Sequence, residues 1–418
     1  MDGHGTDQHS SGGSSPDGSG PDRSSANILD LTLLERSVRE LVPGGPRLPQ
    51  KETAEVVDQL RDAADTSIDL VLNVMRLEAG EADAARARAA AGSVLIVDRL
   101  GWAKATGQSL TAMVGTALPD DVRAAMEAGR VPNTLEMAAV LSVLSTRVLG
   151  QFDPFGGGPH PAGAGRLLLV APSIAQIEAT MSVTPRDFRL WVALHESTHR
   201  VQFAAAPWLR DHLSSLVSEL LGDDPALSGL TGLKPLIRSI PEIVRGETQL
   251  VDVVTGPEKK AVLDQVMALM SLLEGHADVV MDAVGPSVIP DLARIRQRFE
   301  ARREDGIGPG GSIGRLLGMD SKLQQYREGA VFVRSVVRRV GHEGLAAVFT
   351  SPDMLPTVAE IARPDDWVAR VHGSQESGAQ ESSAHQPPAH EAGAQTSDEH
   401  ESADPDEAAA APVEAARP

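Results

Sequence analysis

The 418-residue chain is predicted to fold as a mainly α protein, of α+β type, with one small sheet. One observation behind this prediction is that long segments carry apolar residues at spacings of three and four, the period of an amphipathic helix. Another is that the run RLLLVAPS at 166–173 is short, apolar and bounded by helix breakers, as a buried strand would be. No segment repeats at a fixed period, so we expect one mostly helical unit.

The two ends of the chain are predicted to be disordered tails. Residues 1–26 are rich in Gly, Ser, Asp and Pro, and residues 373–418 are rich in Ala, Glu, Ser, Gln and Pro. Neither end holds enough apolar surface to offset the entropy lost on folding. The folded part is therefore expected at 27–372, with a helical N-terminal region at 27–148 and the region that carries the candidate site at 149–372.

The helical period predicts the elements of the folded part in order. In the N-terminal region it indicates helices in DLTLLERSVRELV, ETAEVVDQLRDAADTSIDLVLNVMRL, GSVLIVDRLGWAKATGQSLTAMVG and EMAAVLSVLSTRV. The Gly- and Pro-rich stretch at 150–165 is expected to be a loop before the strand. Thr184 has the residue type of a helix N-cap, and Pro185 suits the first position of the helix that follows. Later helices are predicted at 209–221, 258–284, 287–303, 320–340 and 355–361.

The formal net charge of −20 argues against nucleic acid or an anionic membrane as the main partner. Much of this charge lies in the predicted tails, with ten acidic residues against one arginine at 373–418 and four against one at 1–26. The N-terminus has neither the basic nor the apolar segment of a signal peptide, and no apolar run is long enough to cross a membrane. The expected compartment is therefore the cytoplasm.

Cysteine is absent, so any metal site must use His, Asp or Glu side chains. Such a site is indicated by HESTH at 195–199, an H-E-x-x-H motif. On a helix His195 and His199 project from one face, which lets both imidazoles reach one zinc ion at about 2.0–2.1 Å. Glu196 lies beside them and is the candidate general base. Apolar residues flank the motif, and two histidines and a glutamate buried there without a partner would be costly.

A catalytic zinc needs a third protein ligand. The metzincin pattern is not followed, because Gln202 and Ala205 stand where that pattern requires Gly and His. In MSLLEGHADVVMD, Glu274 and Asp278 lie four residues apart on one helical face, which resembles the gluzincin pattern E-x-x-x-D. That resemblance implies that Glu274 binds zinc and that Asp278 orients a ligand histidine through its other ring nitrogen. His276 is the competing third ligand, and it lies on a different helical face.

Several segments together resemble a bacterial family, the zincin-like metallopeptidases of type 2. They are RLLLVAPS, HESTHRVQF, LEGHADVVMD and GMDSKLQQYREGAVFV. The resemblance covers most of 27–372 and leaves both tails unmatched. It implies a zincin-like catalytic region at 149–372, with many helices around a small sheet, and a hydrolase that uses Zn²⁺. The family is also associated with deazaflavin cofactor biosynthesis, but the resemblance defines no substrate.

The only tyrosine of the chain, Tyr326, lies in KLQQYREG. Many gluzincins use a Tyr or His to donate a hydrogen bond to the oxyanion, so the resemblance makes Tyr326 a catalytic candidate. The alternative is a half-buried tyrosine with a satisfied hydroxyl. The expected function is a zinc metallopeptidase of gluzincin type that acts on a peptide. Two alternatives stay open: a non-catalytic scaffold with a closed zinc site, and a zinc amidohydrolase that acts on a small amide.

Overall fold

The computed structural model describes most of the predicted folded part of the chain. The described residues are 28–117, 120–156, 164–221, 257–304 and 323–383. They are mainly helical and include one small sheet, which confirms the predicted fold class. The predicted N-terminal tail at 1–26 lies outside the described residues, and so do residues 384–418 of the predicted C-terminal tail.

Helices account for most of the described chain. They are α1 (Leu31–Leu41), α2 (Gln50–Met75), α3 (Ala79–Ala91), α4 (Arg99–Ala117), α5 (Asp120–Ala128), α6 (Arg130–Ser145), α7 (Ala171–Met181), α8 (Pro185–Ala205), α9 (Leu209–Leu221), α10 (Pro257–Val284), α11 (Leu292–Glu304), α12 (Leu323–Leu345), α13 (Val358–Ala362) and α14 (Pro364–Ser383). Short 3-10 helices lie at Ala346–Phe349 and Pro352–Met354. The strands are β1 (Ser93–Val97), β2 (Gly150–Asp153) and β3 (Arg166–Val170).

The later helices confirm the predicted elements, with shifts at their ends. The helix predicted at 287–303 is α11, which begins only at Leu292. The helix predicted at 320–340 is α12, which continues to Leu345 past Gly341, a residue with a positive φ of 73°. Helices α3, α5, α7 and α14 lie outside the predicted helices. Because α14 runs to Ser383, helical structure extends beyond the predicted start of the C-terminal tail.

The described strands form one three-stranded sheet in the order β1-β3-β2. β1 runs parallel to β3, with Ser93 opposite Arg166. β2 runs antiparallel to β3, with Gly150 opposite Leu169. β3 therefore lies between two partners, and each of its residues is buried.

Two predictions are wrong at this sheet. β1 lies in a segment that was assigned to a helix, and β2 lies in the stretch at 150–165 that was assigned to a loop. The residues of β1 are mostly β-branched or aliphatic, which favours a strand over a helix. Asp98 then begins the next helix, because its side chain accepts a hydrogen bond from the backbone N–H of Gly101 at 2.6 Å. The predicted buried strand is confirmed for Arg166–Val170, whereas the following APS segment begins α7.

The helix that carries the H-E-x-x-H motif, α8, is fixed at its start. Thr184 is the N-cap and Pro185 lies in the first turn, as predicted. The backbone N–H of Thr184 donates to the Asp291 carboxylate at 2.9 Å. The backbone N–H of Asp291 in turn donates to the Asp187 carboxylate at 2.8 Å. These reciprocal contacts hold the start of α8 against the start of α11.

Most of α8 is buried in the main hydrophobic core, where it packs against α2, α3 and α10. Between Trp191 and Phe203, only His195, Glu196 and His199 are partly exposed. Within this stretch of α8, the accessible side chains are therefore the three chemically active ones of the motif.

Helices α3 and α8 each provide an arginine that caps the C-terminal end of the other helix. Arg200 follows the motif directly, and its guanidinium donates to the carbonyl oxygens of Ala89 at 2.9 Å and Gly92 at 3.2 Å. Arg88 donates to the carbonyl oxygen of Ala204 at 2.6 Å. The last carbonyl groups of a helix lack partners within it, so these contacts satisfy them. Arg200 thus has a structural partner in α3.

The helix that supplies Glu274, α10, crosses α12 at very short range. A Cβ atom at Gly275 would lie 2.2 Å from the carbonyl carbon of Gly329. A Cβ atom at Gly329 would lie 2.0 Å from the carbonyl oxygen of Ser271. The two backbones can approach this closely because both positions are glycine. This crossing fixes the part of α10 that contains Glu274.

Residues up to Ser374 form one compact unit. The predicted regions at 27–148 and 149–372 share its core, since β1 pairs with β3 and α2 packs on α8. Residues Gln375–Pro418 form a second unit, which is described, as helix, only up to Ser383. Within the described ranges, none of the helices combines the length and the apolar character that a membrane span requires.

Candidate metal centre

The predicted metal ligands His195, His199 and Glu274 lie together. Nε2 of His195 is 3.5 Å from one carboxylate oxygen of Glu274, and Nε2 of His199 is 3.7 Å from the other. One ligand atom from each residue lies within 4.8 Å of the others. Ligands of a tetrahedral zinc ion, bound at about 2.0–2.1 Å, are separated by about 3.3–3.5 Å. The donor types and their spacing therefore fit a zinc ion.

Two helices position these donors. His195 and His199 are one turn apart on α8, with ring centroids 4.9 Å apart and ring planes nearly perpendicular, at 88°. Glu274 comes from α10, which packs against α8. Its side chain is 25% exposed, and those of His195 and His199 are 30% and 14% exposed. The donors are thus recessed but reachable from solvent.

Burial and nearby carboxylates act in opposite directions on the two histidines. Burial alone lowers the pKa of His195, but the hydrogen bond and charge of Glu274, with smaller effects of Glu196 and Asp278, raise it to about 9. At His199 burial outweighs the charge of Glu274, and the pKa is lowered. Only a neutral imidazole binds a metal, so metal binding at neutral pH is expected to release a proton from His195.

The candidate base, Glu196, lies against the edge of β2. The backbone N–H of Phe152 donates a hydrogen bond to its carboxylate. A Cβ atom at Gly150 would lie 2.6 Å from Cγ of Glu196, so the strand approaches this side chain at a distance that requires glycine. Burial raises the pKa of Glu196 to about 7, although the charge of His195 opposes the shift. A carboxyl group with such a pKa can both accept and return a proton near neutral pH.

The alternative ligand His276 does not join the donor set. It is 2% exposed, and its Nδ1 lies 2.9 Å from Nε2 of Gln202. Its ring packs against Phe349, with centroids 5.5 Å apart. Burial, with the charges of His342 and His199, lowers its pKa to about 3. His276 is therefore a neutral core residue beside the site, and the structure supports Glu274 as the third donor.

The predicted role of Asp278 needs correction. Among the hydrogen bonds of the described residues, its carboxylate accepts from Arg296 and, at 2.8 Å, from Arg334. It bonds to no histidine ring nitrogen there, and it acts on His195 only through its charge. Nδ1 of His195 instead contacts the sulfur of Met281 at 3.3 Å. The two arginines come from α11 and α12. The spacing of Glu274 and Asp278 on one helix could not predict contacts with these other helices.

Gln202 is the hydrogen-bond partner of the other ring nitrogen of His199. Its side-chain oxygen lies 2.9 Å from Nδ1 of His199. In the sequence, Gln202 stands out only as a departure from the metzincin pattern. Its position three residues after His199, on the same helical face, was the signal that could have indicated this contact.

The remaining candidate, Tyr326, lies in α12, one turn before Gly329. Its side chain is outside the described residues. A catalytic role of Tyr326 therefore stays a prediction from the resemblance.

Two histidines and one glutamate form the donor set of catalytic zinc in several metallopeptidases. With this donor set beside a partly exposed glutamate on a mainly helical fold, the chain falls in the zincin-like class. It belongs to the zincin-like metallopeptidase family, whose family model matches residues 29–368. The family implies a bound metal, usually zinc, and a hydrolase.

A solved structure from Chloroflexus aurantiacus is similar to this chain. It is described as "a putative hydrolase with a novel fold". The similarity covers 82% of this chain and 98% of the other, with a TM-score of 0.57 and 25% sequence identity. No curated protein matches the chain.

Proposed function

We propose that the chain is a zinc-dependent metallopeptidase of gluzincin type that hydrolyses amide bonds. The observation that carries this proposal is the convergence of His195, His199 and Glu274 beside Glu196. A zinc ion held by the three donors would supply Lewis-acid activation of water and of a carbonyl group.

Glu196 supplies the proton transfers of this proposal. Its carboxylate takes a proton from the attacking water and returns it to the leaving amine. The Phe152 hydrogen bond and the close approach of Gly150 hold that carboxylate in one place. The pKa of about 7 suits a group that accepts a proton in one step and donates it in the next.

An open site is favoured over the closed site of a scaffold protein. Among the described residues, the donor group that could hold a metal consists of His195, His199 and Glu274. His276, the competing ligand of the sequence prediction, is engaged with Gln202. Three protein ligands leave the fourth position of a tetrahedral ion to water or substrate.

A peptide substrate is supported by the position of β2. This strand lies at an edge of the described sheet, and its backbone contacts the proposed base. Extended peptides bind to strand edges through main-chain hydrogen bonds, which would place a substrate amide beside Glu196. A small amide is the second candidate, because the ligand side chains are at most 30% exposed. We propose no nucleic-acid or membrane partner, and a cytoplasmic location stays a prediction.

The first test compares the metal content of the parent chain, Glu274→Ala and Glu196→Gln by elemental analysis. We expect one zinc per chain in the parent, a sharp loss in Glu274→Ala, and retention in Glu196→Gln. A peptide library read by mass spectrometry should then show cleavage by the parent and at least about 100-fold slower cleavage by Glu196→Gln. A metal-free parent after zinc add-back, or an active Glu196→Gln, would contradict the proposal.

A further inference from the structure

We propose that Gln202 positions the metal ligand His199 and keeps His276 away from the metal. Gln202 lies on α8, three residues after His199, and is fully buried. The inference rests on the proposed function, because it concerns how the same site is held. Gln202 is a positioning residue, because it would act on the metal only through His199.

The orientation of the Gln202 amide follows from one contact. Its Nε2 lies 2.9 Å from the backbone carbonyl oxygen of Leu273. A carbonyl oxygen can only accept, so the atom facing it must be the NH₂ group of the amide. The amide oxygen therefore faces Nδ1 of His199, at 2.9 Å. The second N–H of the same group points to Nδ1 of His276, also at 2.9 Å.

This orientation fixes the tautomers of both histidines. Facing an amide oxygen, Nδ1 of His199 must carry the proton, which leaves the lone pair of Nε2 directed toward Glu274. Facing an N–H donor, Nδ1 of His276 must be unprotonated. The Nδ1 lone pair of His276 then accepts a hydrogen bond from Gln202 within the core and does not face a metal ion. The buried Gln202 amide thus keeps Nε2 of His199 unprotonated, as metal binding requires, and holds Nδ1 of His276 in a hydrogen bond within the core.

Gln202 also joins the two helices that supply the ligands. It is part of α8, whereas Leu273 and His276 flank Glu274 on α10. A contact of this kind holds the ligand atoms of the two helices at a fixed separation. Removal of an outer partner of a metal-bound histidine typically weakens metal binding about 10- to 100-fold.

The test uses three variants of the full chain. Gln202→Leu removes both the acceptor and the donors. Gln202→Glu restores an acceptor for Nδ1 of His199. Thr198→Val is the matched control, because Thr198 is equally buried on α8 but its hydroxyl donates to the Leu194 carbonyl oxygen of the same helix.

The first measurement is the tautomer of His199 in the metal-free protein, by long-range ¹H–¹⁵N NMR on chains labelled at histidine. We expect the Nδ1–H form in the parent, in Thr198→Val and in Gln202→Glu, and a mixture of tautomers in Gln202→Leu. An Nε2–H form of His199 in the parent would overturn the inference. This readout does not depend on zinc or on activity.

The second measurement is zinc affinity, by competition with a chromophoric chelator. We expect about 10- to 100-fold weaker binding in Gln202→Leu, a smaller loss in Gln202→Glu, which keeps the acceptor for His199 but lacks the donors toward α10, and affinity within a few-fold of the parent in Thr198→Val. Parent-like affinity in Gln202→Leu would overturn the inference even if the tautomers change. A parent that binds no zinc would instead refute the proposed function, and the tautomers would still decide the role of Gln202.

Discussion

At the scale of single residues, the proposed base is placed by the backbone of a strand. Glu196 accepts a hydrogen bond from the Phe152 N–H, and Gly150 leaves just enough room for its side chain. Both contacts come from β2, which lies in a stretch that was predicted to be a loop. A glycine in a short strand often marks such a close approach, but the pattern does not say what approaches.

Substitution of Gly150 by alanine should displace the base while leaving the fold intact. The added Cβ would lie 2.6 Å from Cγ of Glu196 and 3.1 Å from one carboxylate oxygen, and a side chain can move away. A displacement of about 1 Å from a reacting geometry can reduce the rate about 100-fold. We expect such a loss of peptide cleavage in Gly150→Ala, with zinc content unchanged.

The control for this experiment is Gly44→Ala, because a Cβ at Gly44 would have no atom within 4 Å. This variant should cleave peptides at the parent rate. Full activity in Gly150→Ala would show that β2 does not position Glu196.

At the scale of elements, the motif helix is held by the cap that Arg200 provides to α3. Arg200 follows the motif directly, and its guanidinium donates to the carbonyl groups of Ala89 and Gly92. Replacement of Arg200 by methionine would remove the charged donor of both carbonyl groups, although that of Ala89 would keep the Gly92 N–H at 3.1 Å. A hydrogen bond to a charged group contributes about 1.5–3 kcal/mol. We therefore expect Arg200→Met to lower the free energy of unfolding by about 2–4 kcal/mol, measured by urea denaturation.

The matched control is Arg86→Met, also an arginine of the α3 region, whose ion pairs with Asp69 and Asp83 are exposed. Exposed ion pairs contribute little, so its stability should change little. Zinc affinity should remain within a few-fold of the parent in both variants, because neither guanidinium contacts a metal ligand. A large loss of zinc affinity in a folded Arg200→Met would show that the α3 cap also positions the ligands.

At the scale of the whole molecule, local periodicity predicted most helices and placed His195 and His199 on one helical face. Glu274 came instead from the resemblance of its segment to the gluzincin pattern, because no local spacing relates it to a helix elsewhere in the chain. The partners of Asp278 could not be found this way, since Arg296 and Arg334 are brought to it by tertiary packing. The same limit applies to β1 and β2, whose pairing with β3 depends on residues far away in sequence.

The metal should also stabilise the whole molecule, because its ligands join α8 to α10 across a long stretch of chain. A ligand that binds only the folded state, present at 100 times its Kd, adds about 2.7 kcal/mol. For a chain of this size such a gain should raise the Tm by a few degrees. We expect this rise when zinc is added to chelator-treated protein, measured by calorimetry.

The rise in Tm on zinc addition should depend on the three metal donors, and not on acidic residues or tail residues in general. Glu274→Ala should lose most of the zinc-dependent rise in Tm, because two histidines alone bind the ion more weakly. Asp264→Ala removes an acidic side chain from the same helix, where Asp264 pairs with Lys260 at the surface, and it should keep the full rise. An equal rise in Glu274→Ala would assign the stabilising ion to other side chains, such as the histidines outside the described residues. The three-donor site on α8 and α10 would then not be the site at which zinc stabilises the fold.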